Sequence, residues 1–176
     1  MTHPMKKTIF ALVCILLALS SCQKKGVNLF VGDYSFKTSG EVSISAETEV
    51  EENDLPIPAS LNIDLSNEIG QLNISAADKS NNQVIVVINY TNGDVITTTG
   101  TCNGKTITLD EFKRNILPVS ISTLLANSND IKVGGTGTMY DEDMIVFDMD
   151  YSGKVAIGSV TFKINDRDVR MVAYRN

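Results

Sequence analysis

The sequence predicts an all-β protein whose antiparallel strands close into a barrel or pack as a sandwich. Three observations carry this. Apolar residues recur with period two over most of the chain beyond residue 27, turn chemistry separates the runs, and one segment alone shows helical spacing.

The N-terminal segment comes first and is not part of the fold. Lys6 and Lys7 precede the apolar stretch Thr8–Leu19, which at about 1.5 Å per residue is too short to span a bilayer. A basic start, an apolar centre and small residues before the break predict a secretory signal over residues 1–21, and Met5 serves equally well as its start. Leu19-Ser20-Ser21-Cys22 resembles the bacterial lipobox. That resemblance implies cleavage before Cys22, diacylglyceryl and acyl (palmitate-type) chains on Cys22, and a permanent hold on the membrane, since each buried CH₂ adds roughly 0.8 kcal/mol. Gln23 is not the aspartate of inner-membrane retention, and Lys24-Lys25 is not an acidic surface-export signal. The resemblance therefore implies the cell envelope, on the periplasmic face of the outer membrane.

Residues 22–27 read as a lipidated tether and residues 28–176 as one β-domain. About 150 residues suffice for a single core. Val42, Ile44 and Ala46 alternate with polar neighbours, as do Leu61, Ile63 and Leu65, and Leu72 and Ile74; each run is a strand with one buried face. The fuller apolar runs Val84–Ile88 and Met144–Phe147 fit strands covered on both faces or walling a cavity. Turns are expected at Asn92-Gly93, Asn103-Gly104, Ser152-Gly153 and the polar cluster Asn165–Asp168. The strands then fall near 29–37, 41–49, 58–66, 70–77, 83–91, 94–102, 105–109, 131–140, 143–151 and 155–175, the last a hairpin pair. A short helical excursion is expected near 110–127: Asp110 is an N-cap type, Phe112 and Ile116 are spaced i, i+4, and Pro118 interrupts the helix. Ser39–Ile44 (SGEVSI) and Ser152–Ile157 (SGKVAI) form a weak internal repeat.

Gly32-Asp33-Tyr34 resembles the Gly-x-Trp that opens lipocalins, with Tyr34 in place of the tryptophan. Gly135–Tyr140, followed by a turn, Ile145-Val146-Phe147 and Tyr151-Ser152-Gly153, resembles the small calycin-like lipoproteins of Gram-negative bacteria. These resemblances imply an up-and-down, calycin- or lipocalin-like β-barrel, with a β-sandwich as the alternative. In lipocalins a late arginine packs over the tryptophan, which implies Arg170 or Arg175 over the Tyr34 ring. The plainer expectation is that Tyr34 is a half-buried strand aromatic.

Composition restricts the chemistry. The chain holds 15 Lys and Arg against 21 Asp and Glu; without the two signal lysines, 13 against 21 leaves a net charge near −8. Nucleic acid is not an expected partner, because phosphate binding needs clustered cations. The single histidine, His3, lies in the signal, so the mature chain has no imidazole for base catalysis or metal binding. No catalytic or cofactor motif appears, and the protein is not expected to be an enzyme or to need a cofactor or metal. Cys102 is the one thiol left beyond Cys22 and is expected to pack as a small apolar residue. Acidic groups gather at Glu47, Glu49, Glu51, Glu52 and Asp54 and at Asp141, Glu142, Asp143, Asp148 and Asp150, without calcium-loop spacing. Asp148 and Asp150 are expected on the wet face of a strand whose Phe147, Met149 and Tyr151 point inward.

Two functions fit a non-catalytic, membrane-anchored barrel. In one, its interior binds a small apolar ligand. In the other, a filled envelope domain meets a protein or glycan partner through its outer face.

Overall fold

Closure of the sheet begins where its first and last strands meet. A computed structural model describes residues 26–47, 57–77, 82–118, 121, 125–129, 131–157 and 160–176. Strand β1 (Gly32–Ala46) pairs antiparallel with β11 (Val160–Arg175), from Tyr34 opposite Arg175 to Ala46 opposite Phe162. Between them run β3 (Ile69–Ala76), β4 (Gln83–Tyr90), β5 (Val95–Asn103), β6 (Thr106–Lys113), β8 (Lys132–Asp141) and β9 (Met144–Ser152). The order β1-β3-β4-β5-β6-β8-β9-β11 returns to β1, an eight-stranded antiparallel barrel. The sandwich alternative is thereby removed.

Five of the eight columns continue past one end of the barrel. β2 (Ser60–Asp64) lies above β3, β1 and β11 extend themselves, β10 (Lys154–Ile157) follows β9, and β7 (Leu125–Asn129) precedes β8. They pair in the order β2-β1-β11-β10-β7, the same sequence of columns as in the wall below. We call this five-stranded extension the upper sheet and the opposite end, where the chain enters, the lower end. Val42, Ile44, Val155, Ile157 and Phe162 of the upper sheet are fully buried, and they share one apolar cluster with the barrel interior.

The passage from barrel to upper sheet explains the repeated hexapeptide. Gly40 and Gly153 flank β11 on its two sides, Gly40 beside Asp168 and Gly153 opposite Ile164, with φ of 107° and 117°, a region that costs glycine little and other residues much. A Cβ on Gly40 would stand 2.7 Å from the Asp168 carbonyl oxygen. Each glycine turns its column, and the following Val and Ile enter the core at Val42 and Ile44, and at Val155 and Ile157. The similarity of the two segments reflects one structural task performed twice.

Three expectations are corrected by bulges. Asn165–Asp168 is no turn: it lies inside β11, where three residue steps oppose two in β1 and Asp168 takes φ 49°, a left-handed position that aspartate tolerates. The inward set accordingly changes from Phe162 and Ile164 to Val169, Met171 and Ala173. Ser39-Gly40 joins rather than separates two strands, so the expected 29–37 and 41–49 are one. The expected helix at 110–127 begins as strand: β6 runs through Lys113, and an extra residue between Leu109 and Phe112 shifts its register against β8. That shift moves Phe112 and Arg114 inward, and a period of two broken by a bulge reads as i, i+4 in the sequence. Beyond it the Ile121 N–H donates to the Pro118 carbonyl at 2.9 Å and Ile121 itself is helical; residues 119–120 and 122–124 lie outside the described residues, and β7 occupies 125–129. Val84–Ile88 is covered on one face only, with Ile85 38% exposed on the other.

The barrel is filled from within. Tyr34, Val84, Val86, Ile88, Ile107, Val133, Ile145 and Phe147 are each 0% exposed, and Leu72, Ile74 and Met171 are 1%; a cavity able to hold even water would leave such side chains accessible. Glycines make room for the large rings. A Cβ on Gly137 would lie 2.6 Å from the Phe147 ring and 2.8 Å from Ile107, and one on Gly70 would meet Phe36. Gly137→Ala is therefore expected to destabilise the fold by roughly 1–3 kcal/mol through overpacking, as read from urea unfolding, and Phe147→Leu in the same chain should recover part of the loss.

Candidate functional site

Each end of the filled barrel is stoppered by an arginine lying on a tyrosine. At the lower end a 3₁₀ turn, Gly26–Leu29, crosses the opening and buries Val27 and Phe30. The Tyr34 hydroxyl donates to the Phe30 carbonyl at 2.8 Å. Arg175 donates to the Val31 carbonyl at 2.6 Å and the Leu29 carbonyl at 3.0 Å, and its guanidinium carbon stands 4.8 Å from the Tyr34 ring centre. Such a cation–π contact is worth about 0.5–2 kcal/mol. A Cβ on Gly32 would strike this guanidinium, so the Gly-x-Tyr spacing is part of the stopper. Of the two arginines implied by the lipocalin resemblance, Arg175 takes the role; Arg170 points outward and binds Asp148 at 3.0 Å.

The upper stopper was not foreseen from the sequence. Arg114, 5% exposed, holds Glu68 in a two-pronged pair at 2.6 and 2.9 Å. Its guanidinium carbon lies 3.6 Å above the centre of the Tyr90 ring. Tyr90 in turn meets Phe36 edge-on at 5.3 Å. The Arg114 Nε has no hydrogen-bond partner among the described residues, and its nearest carboxylate is Asp94 at 4.0 Å. Burial pushes the Tyr90 hydroxyl up to about 12 against the opposing pull of Arg114, and burial raises Tyr151 as well. An inward arginine at position 114 follows from the β6 bulge, and the sequence signal that would have revealed it was the same one that mimicked a helix.

The remaining sequence candidates are placed plainly. Cys22 lies outside the described residues, as do Glu49, Glu51, Glu52 and Asp54. Cys102 is 4% exposed, and burial raises its thiol pKa, the state of a packed rather than a reactive cysteine. Glu47 pairs with Lys154 at 2.6 Å. Asp141 accepts the Asp143 N–H at 2.9 Å, closing the β8–β9 turn. Asp148 and Asp150 are exposed while Phe147, Met149 and Tyr151 are buried, as the alternation requires. Among the described residues no group of histidine, cysteine and carboxylate side chains is arranged to hold a metal ion.

The upper stopper is testable by mutation and by pH. Arg114→Met is expected to cost roughly 3 kcal/mol, because Glu68 is left unpaired at the barrel mouth, and the double variant Arg114→Met/Glu68→Leu should regain much of it in chemical denaturation. The raised tyrosines add a pH dependence. Unfolded tyrosine ionises near 10.0 while folded Tyr90 holds its proton to about 12, so this contribution is intact below pH 10 and is lost as pH rises from 10 toward 12. Urea midpoints should accordingly fall over that window, and less steeply in Tyr90→Phe.

No protein-family model matches the chain, and no curated protein sequence matches it. Among solved structures the chain is similar to EF1p2_mFAP2b bound to DFHBI, 13% identical at TM-score 0.40 over 85% of this chain and 95% of that one. It is also similar to a redesigned beta barrel, 14% identical at TM-score 0.40 over 89% and 99%. A mutant of Transferrin Binding Protein B, a vaccine antigen of Actinobacillus pleuropneumoniae H49, is 12% identical at TM-score 0.38 over 83% of this chain and 63% of that one. The barrel described above rests on the strand pairing of this chain itself.

Proposed function

We propose that this chain is a non-catalytic lipoprotein of the cell envelope, anchored by acyl groups on Cys22 to the periplasmic face of the outer membrane, whose barrel serves as a filled scaffold. The observation that carries the scaffold reading is the interior: the inward side chains of eight strands fill it, and an arginine–tyrosine stopper occupies each end. Eight-stranded barrels either fill this way or hold one small ligand, and the filled state favours contacts made from outside, with a protein or glycan partner. The signal-like residues 1–21 and Leu19-Ser20-Ser21-Cys22 support the anchor.

Growth with an alkyne-tagged palmitate tests the anchor. The expected outcome is label on the native protein and its recovery with membranes, both lost in Cys22→Ala; an unlabelled native protein would overturn the reading. Native mass spectrometry of the detergent-released protein tests the scaffold. The expected mass is the acylated polypeptide alone, and a reproducible small-molecule adduct released on unfolding would favour the ligand-carrying barrel.

A further inference from the structure

We infer that the lower end of the barrel docks on a bilayer of zwitterionic phospholipid through an exposed aromatic stripe made by Tyr140, Met144 and Tyr174. This rests on the lipid-anchor reading of Cys22. Tyr140 and Tyr174 are 64% and 56% exposed, unusual for large rings, and Met144 between them is half-buried. Register aligns them. Tyr174 opposes Met144 across β11 and β9, and Met144 opposes Asp141 beside Tyr140 on β8. They form the lowest outward row of three adjacent strands, with half-buried Val146 and Val172 in the row above.

The tether determines what lies beneath this row. Arg175, the residue after Tyr174, binds the Leu29 and Val31 carbonyls, so the stripe stands beside the point where the chain enters the barrel. From Gly26 back to Cys22 is four residues, a reach of at most about 14 Å. A membrane holding Cys22 is thus close to the stripe, while Ile69 and Val95, exposed at 47% and 63%, lie at the other end. Tyrosine suits the headgroup layer, its ring body apolar and its hydroxyl wet. Charge bears on the lipid: exposed Asp33, Asp141, Glu142 and Asp143 share this end with Lys105 and Arg175 and with the tether's Lys24 and Lys25, four acids against four cations. A balanced end gains nothing from anionic headgroups, so zwitterionic lipid suffices.

The chain contains no tryptophan, so a single reporter reads depth without background. Full-length acylated Tyr174→Trp and Val95→Trp would each be reconstituted into phosphatidylethanolamine–phosphatidylcholine vesicles carrying phospholipid brominated near the headgroup. The expected result is emission quenched several-fold more for Tyr174→Trp than for Val95→Trp, with the difference little changed when phosphatidylglycerol replaces half the lipid. Equal quenching, stronger quenching at Val95→Trp, or a shielded but unquenched Tyr174→Trp, as a protein partner on the stripe would give, overturns the docking while leaving the anchor in place. Intact mass of the same samples separates the other failure: a protein without acyl mass on Cys22 overturns the anchor and the docking with it.

Discussion

The pairing of β1 with β11 is the constraint on which the rest of the molecule depends. It closes the barrel, forms the spine of the upper sheet, and brings Arg175 over Tyr34. The two strands are 15 and 16 residues long and come from opposite ends of the β-domain. Joining them brings together positions separated by well over a hundred residues, which carries a loop-closure cost and slows the folding of such topologies. Between them β3 to β6, and β8 with β9, are hairpin neighbours and form locally. The fold therefore becomes a barrel only when its last strand finds its first, and the bulge at Gly40 and Asp168 is where the joined pair bends from wall into upper sheet.

The two stoppers solve the same problem differently. A barrel end exposes the edge of a packed interior, and a purely apolar cover would leave backbone carbonyls of the crossing chain unpaired. Arg175 answers by donating to those carbonyls while its flat face covers Tyr34. Arg114 answers with a carboxylate: Glu68 neutralises it, and the Tyr90 ring takes its face. The lower stopper binds the chain's N-terminal turn to its C-terminal strand, so it reinforces closure. The upper stopper binds the β2–β3 connection to the end of β6, and it ties the barrel mouth to the start of the upper sheet.

What the sequence disclosed follows from this geometry. Period-two runs such as Leu72–Ile74 located the strands, because an antiparallel barrel has one wet face and one dry face throughout. The Asn-Gly turns at positions 92–93 and 103–104 marked two hairpins directly. Bulges were the illegible part. At Asp168 and after Leu109 one added residue exchanges inside for outside, and no local chemistry distinguishes that from a turn or the start of a helix. Arg114 was missed for this reason, since its inward direction depends on a register that only the β6–β8 pairing fixes. Arg175 was within reach because Gly32-Asp33-Tyr34 carries a spacing that a covering side chain requires. β7 stayed hidden for a different reason: its LANSN segment lacks alternation, and it is a strand only because β10 stands beside it.

A filled barrel also changes where specificity can reside. With Phe147 seated against Gly137 and Phe36 against Gly70, admitting a ligand would require moving several interlocked rings, and close-packed interiors resist that. The outer face carries no such restriction. Outward positions on β5, β6 and β8 are rich in threonine, at Thr97, Thr99, Thr101, Thr108 and Thr136, as its β-propensity favours. Against that wall the lower row of Tyr140, Met144 and Tyr174 carries the exposed aromatic rings of the described residues. Both rings, Tyr140 and Tyr174, stand at the end where the chain enters. With the proposed anchor on Cys22, anchor and stripe would act as linked sites: attachment at one would raise the effective concentration of membrane at the other, so that a contact too weak to bind alone would suffice to orient the barrel.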